Sequence, residues 1–439
     1  MANFHEKLVL NKYMLSLFGI DSIGKKIMGK NGVEIFTELK LSSNEGYTEE
    51  GNTRYLQSLI HHLYNSEHIT ATMLQTYDEN IVRYTKQISE KRSELIVWKY
   101  FQYLSLLFTE VYLDKYFQNK VKLLTELNEF VKEFNHKQTQ ANAGKKSKDA
   151  FTAQPFTLES LNKLAFWNAT GSGKTLLMHI NIKQYLHYAH LYNQQHQNKV
   201  LLITPNEGLT KQHLEEFKFS DIRANSFSKN DSGMYSGQQV EILEITKLAE
   251  DSGDKTVAVE SFETSNLVLI DEGHGGMSGD SWKRFRDQLS LTGFAFEYSA
   301  TFGQAINAAS GPKKTEFTQE YAKSILFDYS YKYFYEDGYG KDYRILNLKE
   351  DNTDYQKLYL TANLVSFFQQ QLIFEEEKTS LKDFLLHKPL WIFVGGKVNA
   401  VRKEGGKEVS DVLEIIYFLT DFLKNPAVSI QNIDAVIHD

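Results

Sequence analysis

Seven consecutive residues, Ala169-Thr170-Gly171-Ser172-Gly173-Lys174-Thr175, have the types and spacing that hold a phosphate chain. Glycines at 171 and 173 let the backbone fold closely around phosphate oxygens, and the N–H groups at the start of a following helix point at the anion. Lys174 is placed to reach the β- and γ-phosphates of a nucleoside triphosphate, and the Thr175 hydroxyl to ligate Mg2+. The apolar run Leu164 to Trp167 precedes this turn and Leu176 to Ile180 follows it, so the stretch reads as strand, phosphate loop and helix. Asn168 stands where the strict loop pattern has glycine, and taken alone the stretch also fits a plain glycine turn before a helix.

A second stretch supplies the complementary chemistry. The apolar run Asn266 to Ile270 ends in Asp271-Glu272-Gly273-His274. Phosphoryl transfer needs a carboxylate to fix Mg2+ opposite the lysine loop and a group to position the attacking water. Asp271 is the candidate for the first role and Glu272 for the second; the bland reading makes Asp271 a cap on the next turn. Two further apolar runs end in polar residues, Lys199 to Ile203 in Thr204-Pro205-Asn206 and Gly293 to Tyr298 in Ser299-Ala300-Thr301. Four such runs alternating with helical patterns predict an α/β fold with a parallel sheet, whose strand carboxyl ends present the ligand crevice.

The rest of the chain must carry this sheet. Residues 1–150 read as a helical N-terminal domain, since Thr53 to Phe134 is proline-free with apolar residues at helical spacing: Leu95, Trp98, Phe101, Leu104, Leu107, Phe108, Val111 and Tyr112. That aromatic stripe is most simply a core, although a base-stacking surface has the same composition. Residues 135–151, rich in Gln, Asn, Lys and Ser, read as a linker, 152–305 as the sheet domain, and 306–387 as an insertion or connection with a helix over 355–374. The run Lys388 to Gly396 predicts a buried strand and 411–423 a helix, the beginning of a second α/β domain that 388–439 would not complete. Asp21 with Glu38-Leu39-Lys40 has the order of a magnesium nuclease set, but its helical context makes it a chance arrangement.

With 439 residues and 41% hydrophobic side chains the chain is long enough for two or three domains. It has no cysteine, which excludes disulfides and thiolate metal sites and fits a reducing cytoplasm. No targeting segment or membrane-length run is visible, so a cytoplasmic protein is expected. The net charge of −7 gives no bulk attraction for nucleic acid; a local basic groove would have to supply it.

In order along the chain, Ala169 to Thr175, Ile203 to Asn206, Asp271 to His274 and Ser299 to Thr301 resemble motifs I, Ia, II and III of superfamily 2 DEAD/DEAH-box helicases, most closely the motor subunits of type III restriction enzymes. The resemblance covers about residues 160–305, with a weaker echo at Trp391 to Gly396. It implies RecA-like sheet domains closing on ATP and Mg2+, with His274 coupling nucleotide state to the motor and Ser299 and Thr301 linking the acidic motif to nucleic acid. It further implies backbone contacts to the track from Thr204, Pro205, Asn206 and Thr246, with Gln154 a candidate adenine reader. The implied track is DNA, double-stranded in preference to RNA, and the implied partner a methyltransferase, specificity or other defence-system subunit. The late motifs that carry an arginine finger have no counterpart here, Arg402 being the one arginine beyond Trp391. Two readings therefore stand: an ATP-driven DNA translocase that is the N-terminal portion of a longer motor, or a nucleotide-gated module with little turnover.

Overall fold

The structure, a computed structural model, describes residues 4–19, 38–62, 68–142, 151–195, 197–227, 239–249, 256–272, 280–340, 353–382, 386–393, 402–404 and 407–438. The chain divides into two compact units, Met1–Lys341 and Asp342–Asp439.

The strands described in the first unit are β1 (Lys163–Asn168), β2 (Val200–Thr204), β3 (Ala224–Ser226), β4 (Val240–Glu244), β5 (Leu248–Ala249), β6 (Val257–Ala258), β7 (Leu267–Asp271), β8 (Phe294–Ser299) and β9 (Ile325–Tyr329). Strands β5 and β6 pair with each other, and the other seven form one sheet in the order β3-β4-β2-β7-β8-β1-β9. Every pairing in it is parallel. Parallel strands are covered on both faces, which is why the four runs read from sequence are continuously apolar. Alternate side chains part to opposite sides: Leu202, Leu267, Leu269, Phe294 and Phe296 join one apolar cluster. Their neighbours Leu201, Ile203, Val268, Ile270 and Ala295 join another on the far face.

Helices cover both faces. Those described are α1 (Val9–Leu17), α2 (Arg54–His62), α3 (Ala71–Ser89), α4 (Tyr100–Gln118), α5 (Lys120–Asn142), α6 (Lys174–Leu191), α7 (Glu207–Phe219), α8 (Asp280–Leu289), α9 (Phe302–Ala308), α10 (Gly311–Ser324) and α11 (Tyr331–Glu336). The crossover helix α6 lies on the sheet, and α3 and α4 lie on α6. Gln184 donates to the Leu106 carbonyl at 2.9 Å, the Tyr188 hydroxyl to Glu110 at 2.6 Å, and the Tyr298 hydroxyl of β8 to Asn181 at 2.7 Å.

The described part of residues 1–150, expected as a domain of its own, therefore shares a single core with the sheet. Helix α4 is buried along most of its length, polar Ser105, Thr109 and Glu110 included, with Phe101, Leu104, Leu107, Phe108, Val111 and Tyr112 in the same cluster as Phe166 and Tyr298. The aromatic stripe is core; Leu95, 40% exposed, falls outside it. The first part of the linker expected at 135–151 is helix, because α5 continues to Asn142, and residues 143–150 lie outside the described residues. Gln, Lys and Ala are ordinary helix formers, and Asn135 is tied to Ala153 through both its amide nitrogen and its amide oxygen.

The expected insertion at 306–387 is also revised. Helix α10 and strand β9 complete the first unit, with β9 the edge strand beside β1. Asp328 disguises β9 in the sequence, because a carboxylate inside an apolar run suggests a loop; here it is buried and paired with His5 and the Ser330 N–H.

The elements described in the second unit are α12 (Thr353–Glu376), an antiparallel hairpin of β10 (Arg402–Glu404) and β11 (Lys407–Val409), α13 (Asp411–Lys424) and α14 (Pro426–His438), with α14 packed on both α12 and α13. Ser410 caps α13 through the Leu413 N–H. The strand expected at 388–396 is absent from its described part, 388–393, where Leu390 is 79% and Ile392 69% exposed. An apolar run becomes a strand only where neighbours supply a ladder and cover, and no described strand pairs with it. No helix among the described residues is long and apolar enough to cross a membrane.

Candidate nucleotide-binding site

The sheet order sets the site. Strand β8 lies between β1 and β7, so the phosphate loop after β1 and the acidic residues ending β7 face each other across the carboxyl end of one strand. Gly171 and Gly173 have φ of +83° and +89°, the left-handed region that glycine enters without penalty. The loop closes with Ser172 N–H donating to the Ala169 carbonyl at 3.2 Å, and α6 starts at Lys174, so its first N–H groups have no partner within the helix. This is a cradle for an anion.

Lys174 Nζ lies 3.9 Å from Glu272 Oε1. Glu272 itself has φ +56°, a backbone state uncommon outside glycine; it turns the chain sharply at the end of β7. Asp271 is fixed on both oxygens: Oδ1 accepts the Glu272 N–H at 3.1 Å, and Oδ2 meets His213 Nε2 of α7 at 2.9 Å. His213 is buried on α7 beside Phe217, which stacks on His179 at 4.3 Å. Burial and then the neighbouring His213 push the His179 pKa well below the usual imidazole range. Tyr298, opposite Asp271 in the ladder, has its phenol pushed up by burial and then by the Asp271 charge, so it stays a proton donor to Asn181.

Ser299 and Thr301 form one turn at the end of β8, the Ser299 hydroxyl accepting the Thr301 N–H at 3.0 Å. Trp167 of β1 donates to the Ala300 carbonyl between them. Thr204 ends β2 buried, its hydroxyl bonded to that of Thr210 at 2.7 Å, while Pro205 is half-buried and exposed Asn206 caps α7 through the Leu209 N–H. Thr246 is exposed in the short turn Ile245–Lys247 directly after β4, the strand paired with β2, so these residues share the carboxyl edge. Gln154 lies away from the loop, its N–H donating to Gln319 of α10. Gly273, His274 and Asp21 lie outside the described residues; Lys40 is held by Asp337 at 2.6 Å.

Three residues at the site lie outside every motif read from the sequence. Tyr329 of β9 accepts the Ala169 N–H at 2.9 Å, Gln102 of α4 donates to the Ser172 carbonyl at 2.8 Å, and His213 holds Asp271. Only His213 left a trace, as a polar residue on the buried Thr210–His213–Phe217 stripe of α7.

The donor set fits Mg2+ with a triphosphate. Thr175 and Asp271 offer a hydroxyl and a carboxylate, the oxygen ligands a hard cation takes beside substrate phosphates. The Asn168 amide and Ser172 hydroxyl beside the loop are buried without a protein partner among the described residues, at a cost of about 1–3 kcal/mol each unless water or ligand satisfies them.

No curated protein matches the chain. Residues 133–304 match the family model described as type III restriction enzyme, res subunit, and this helicase-family span holds the phosphate loop, the acidic end of β7 and the Ser299–Thr301 turn.

Proposed function

We propose that the chain is an ATP-hydrolysing motor that moves along DNA, of the restriction or phage-defence type. The observation that carries this reading is the meeting of Lys174 and Glu272 across the end of β8, with Thr175 and Asp271 beside them. Lys174 binds the β- and γ-phosphates and the N–H groups opening α6 hold their oxygens. Glu272 positions the attacking water and takes its proton. Thr175 and Asp271 would hold Mg2+, which would supply charge neutralisation for the phosphoryl group.

On this reading Thr204 to Asn206 and Thr246 line the track along the carboxyl edge. Thr204, whose hydroxyl is spent on Thr210, contributes backbone groups. Ser299 and Thr301 connect that edge to the acidic strand end, and His274 extends the coupling. A partner chain such as a methyltransferase or specificity subunit completes the site and brings the arginine finger.

The test is ATP hydrolysis with and without double-stranded DNA, on the wild type, Lys174→Ala and Glu272→Gln, alone and with the completing partner. DNA-stimulated turnover is expected, reduced at least about 100-fold by either substitution, with Glu272→Gln still binding ATP. Lys174-dependent binding without stimulated turnover in either setting would reject the motor in favour of a nucleotide-gated module.

A further inference from the structure

The phosphate loop is held from outside the matched helicase span. Its first residue, Ala169, donates to the Tyr329 carbonyl, and the Tyr329 ring stacks on Phe101 of α4 with centroids 3.8 Å apart and planes 7° from parallel. Next to Phe101 in the same turn, Gln102 reaches the other end of the loop. Its Nε2 donates to the Ser172 carbonyl at 2.8 Å, while its Oε1 accepts the Lys99 N–H at 2.9 Å, so the amide is fixed at both ends. The approach is close: a Cβ on Gly173 would lie 2.5 Å from Gln102 Nε2. Glycine at 173 thus serves two neighbours, a phosphate on one side and an α4 side chain on the other. Lys99 is anchored in turn by Glu45 at 2.8 Å.

We infer that Gln102 is a positioning residue for the phosphate loop, through which nucleotide occupancy is transmitted to the first turn of α4 and so to the helical layer; this rests on the nucleotide-binding reading above. Phosphate oxygens fix the loop's N–H groups on one side, and the peptide that carries the Gly173 N–H also carries the Ser172 carbonyl. Ordering that peptide strengthens its bond to Gln102, and a loop preorganised by Gln102 binds the nucleotide with less ordering cost. The coupling is reciprocal.

The experiment uses the full 439-residue chain. A fluorescent ATP analogue measures affinity, and amide hydrogen exchange with and without nucleotide measures protection over residues 99–108, for the wild type, Lys174→Ala, Gln102→Met and Lys99→Ser/Gln102→Met. Gln102→Met removes both the loop contact and the helix cap, whereas the double variant restores a cap through serine. Affinity is expected to fall about fivefold in both Gln102 variants, with nucleotide-induced protection of 99–108 lost in both and thermal stability recovered in the double variant. The inference is overturned if the wild type binds in a Lys174-dependent way without protecting 99–108, or if the double variant regains wild-type affinity and protection, which would make Gln102 a cap alone. A wild type that binds no nucleotide would remove the underlying reading as well, and the Lys174→Ala control separates that result from the other two.

Discussion

Near the amino end of β1, Lys163 Nζ lies 2.9 Å from Glu297 Oε1, Arg286 Nη1 lies 2.8 Å from the same oxygen, and Arg286 Nη2 lies 2.6 Å from Glu320. At the carboxyl end of the same strand, Lys174 and Glu272 stop 3.9 Å apart and remain partly exposed. Both sets pair lysine with glutamate on one sheet, yet the first is closed into a buried network and the second is left open to a ligand. Within the closed set ionisation is shifted. Burial works against charge there and is outweighed: Glu297 and Glu320 hold Arg286 well above its usual range, and Lys163, Arg286 and Lys283 hold Glu320 well below. In that network perturbed titration marks a structural lock, while the Lys174–Glu272 pair is identified by geometry and access.

Arg286→Ala should break the lock most severely. It removes one of the two cations that hold buried Glu297, and a loss of about 3–5 kcal/mol in denaturant-measured stability is expected, with nucleotide affinity of the folded protein unchanged. A loss below about 1 kcal/mol would show that the closed network is not the stabilising element it is taken for. Its pH signature follows from Glu320, whose folded-state pKa is depressed. That contribution is present above the ordinary carboxylate range and lost as pH falls through the depressed value, and the Arg286→Ala protein should show a shallower acid decline.

Glu110 sharpens the contrast, being buried with neutral hydrogen-bond partners, Asn80 and Tyr188. Burial pushes its carboxyl up to about 7 from 4.5. The sign is opposite: its contribution is full at low pH and is lost as pH rises through about 7. Glu110→Gln should raise stability at pH 8 by on the order of 2 kcal/mol and flatten the decline between about 4.5 and 7, read from melts across that range. A slope unchanged by the substitution would assign the dependence elsewhere.

The smallest effect is expected at the open edge, from His213→Ala. Freed of its buried partner, Asp271 should hold Mg2+ less well, raising the Mg2+ concentration needed for half-maximal nucleotide binding about tenfold while the melting temperature stays within about 3 °C. A large melting shift with unchanged Mg2+ dependence would move His213 into the structural class with Arg286.

The parts of the fold legible in sequence were those with local causes. Strands β1, β2, β7 and β8 are continuous apolar runs because both faces are covered, and the Gly-Lys-Thr turn and Asp271-Glu272 are defined by neighbours along the chain. Strand β9 was hidden by Asp328, whose partner His5 is 323 residues away. The merger of α2 to α5 with the sheet was hidden because an α4 rich in Leu, Phe and Tyr reads equally as the centre of a separate bundle. Gln102 gave no sign at all, since its partner Ser172 lies 70 residues further on and the contact uses a backbone carbonyl that any residue would present.

The sandwiching of α6 between sheet and helical layer bears on how such a protein is inherited and dissected. The family match begins at residue 133, inside α5, after α2 to α4 have been laid down. A gene cut or recombination joint near residue 150 would follow the domain boundary expected from sequence and break the packing in space. It would strip Leu106, Glu110 and Phe117 from Gln184, Tyr188 and Tyr185, expose one whole side of α6, and leave the loop without Gln102. The helical segment and the sheet it covers should therefore pass through exchange as one block, and expression of residues 152–340 alone should give insoluble protein.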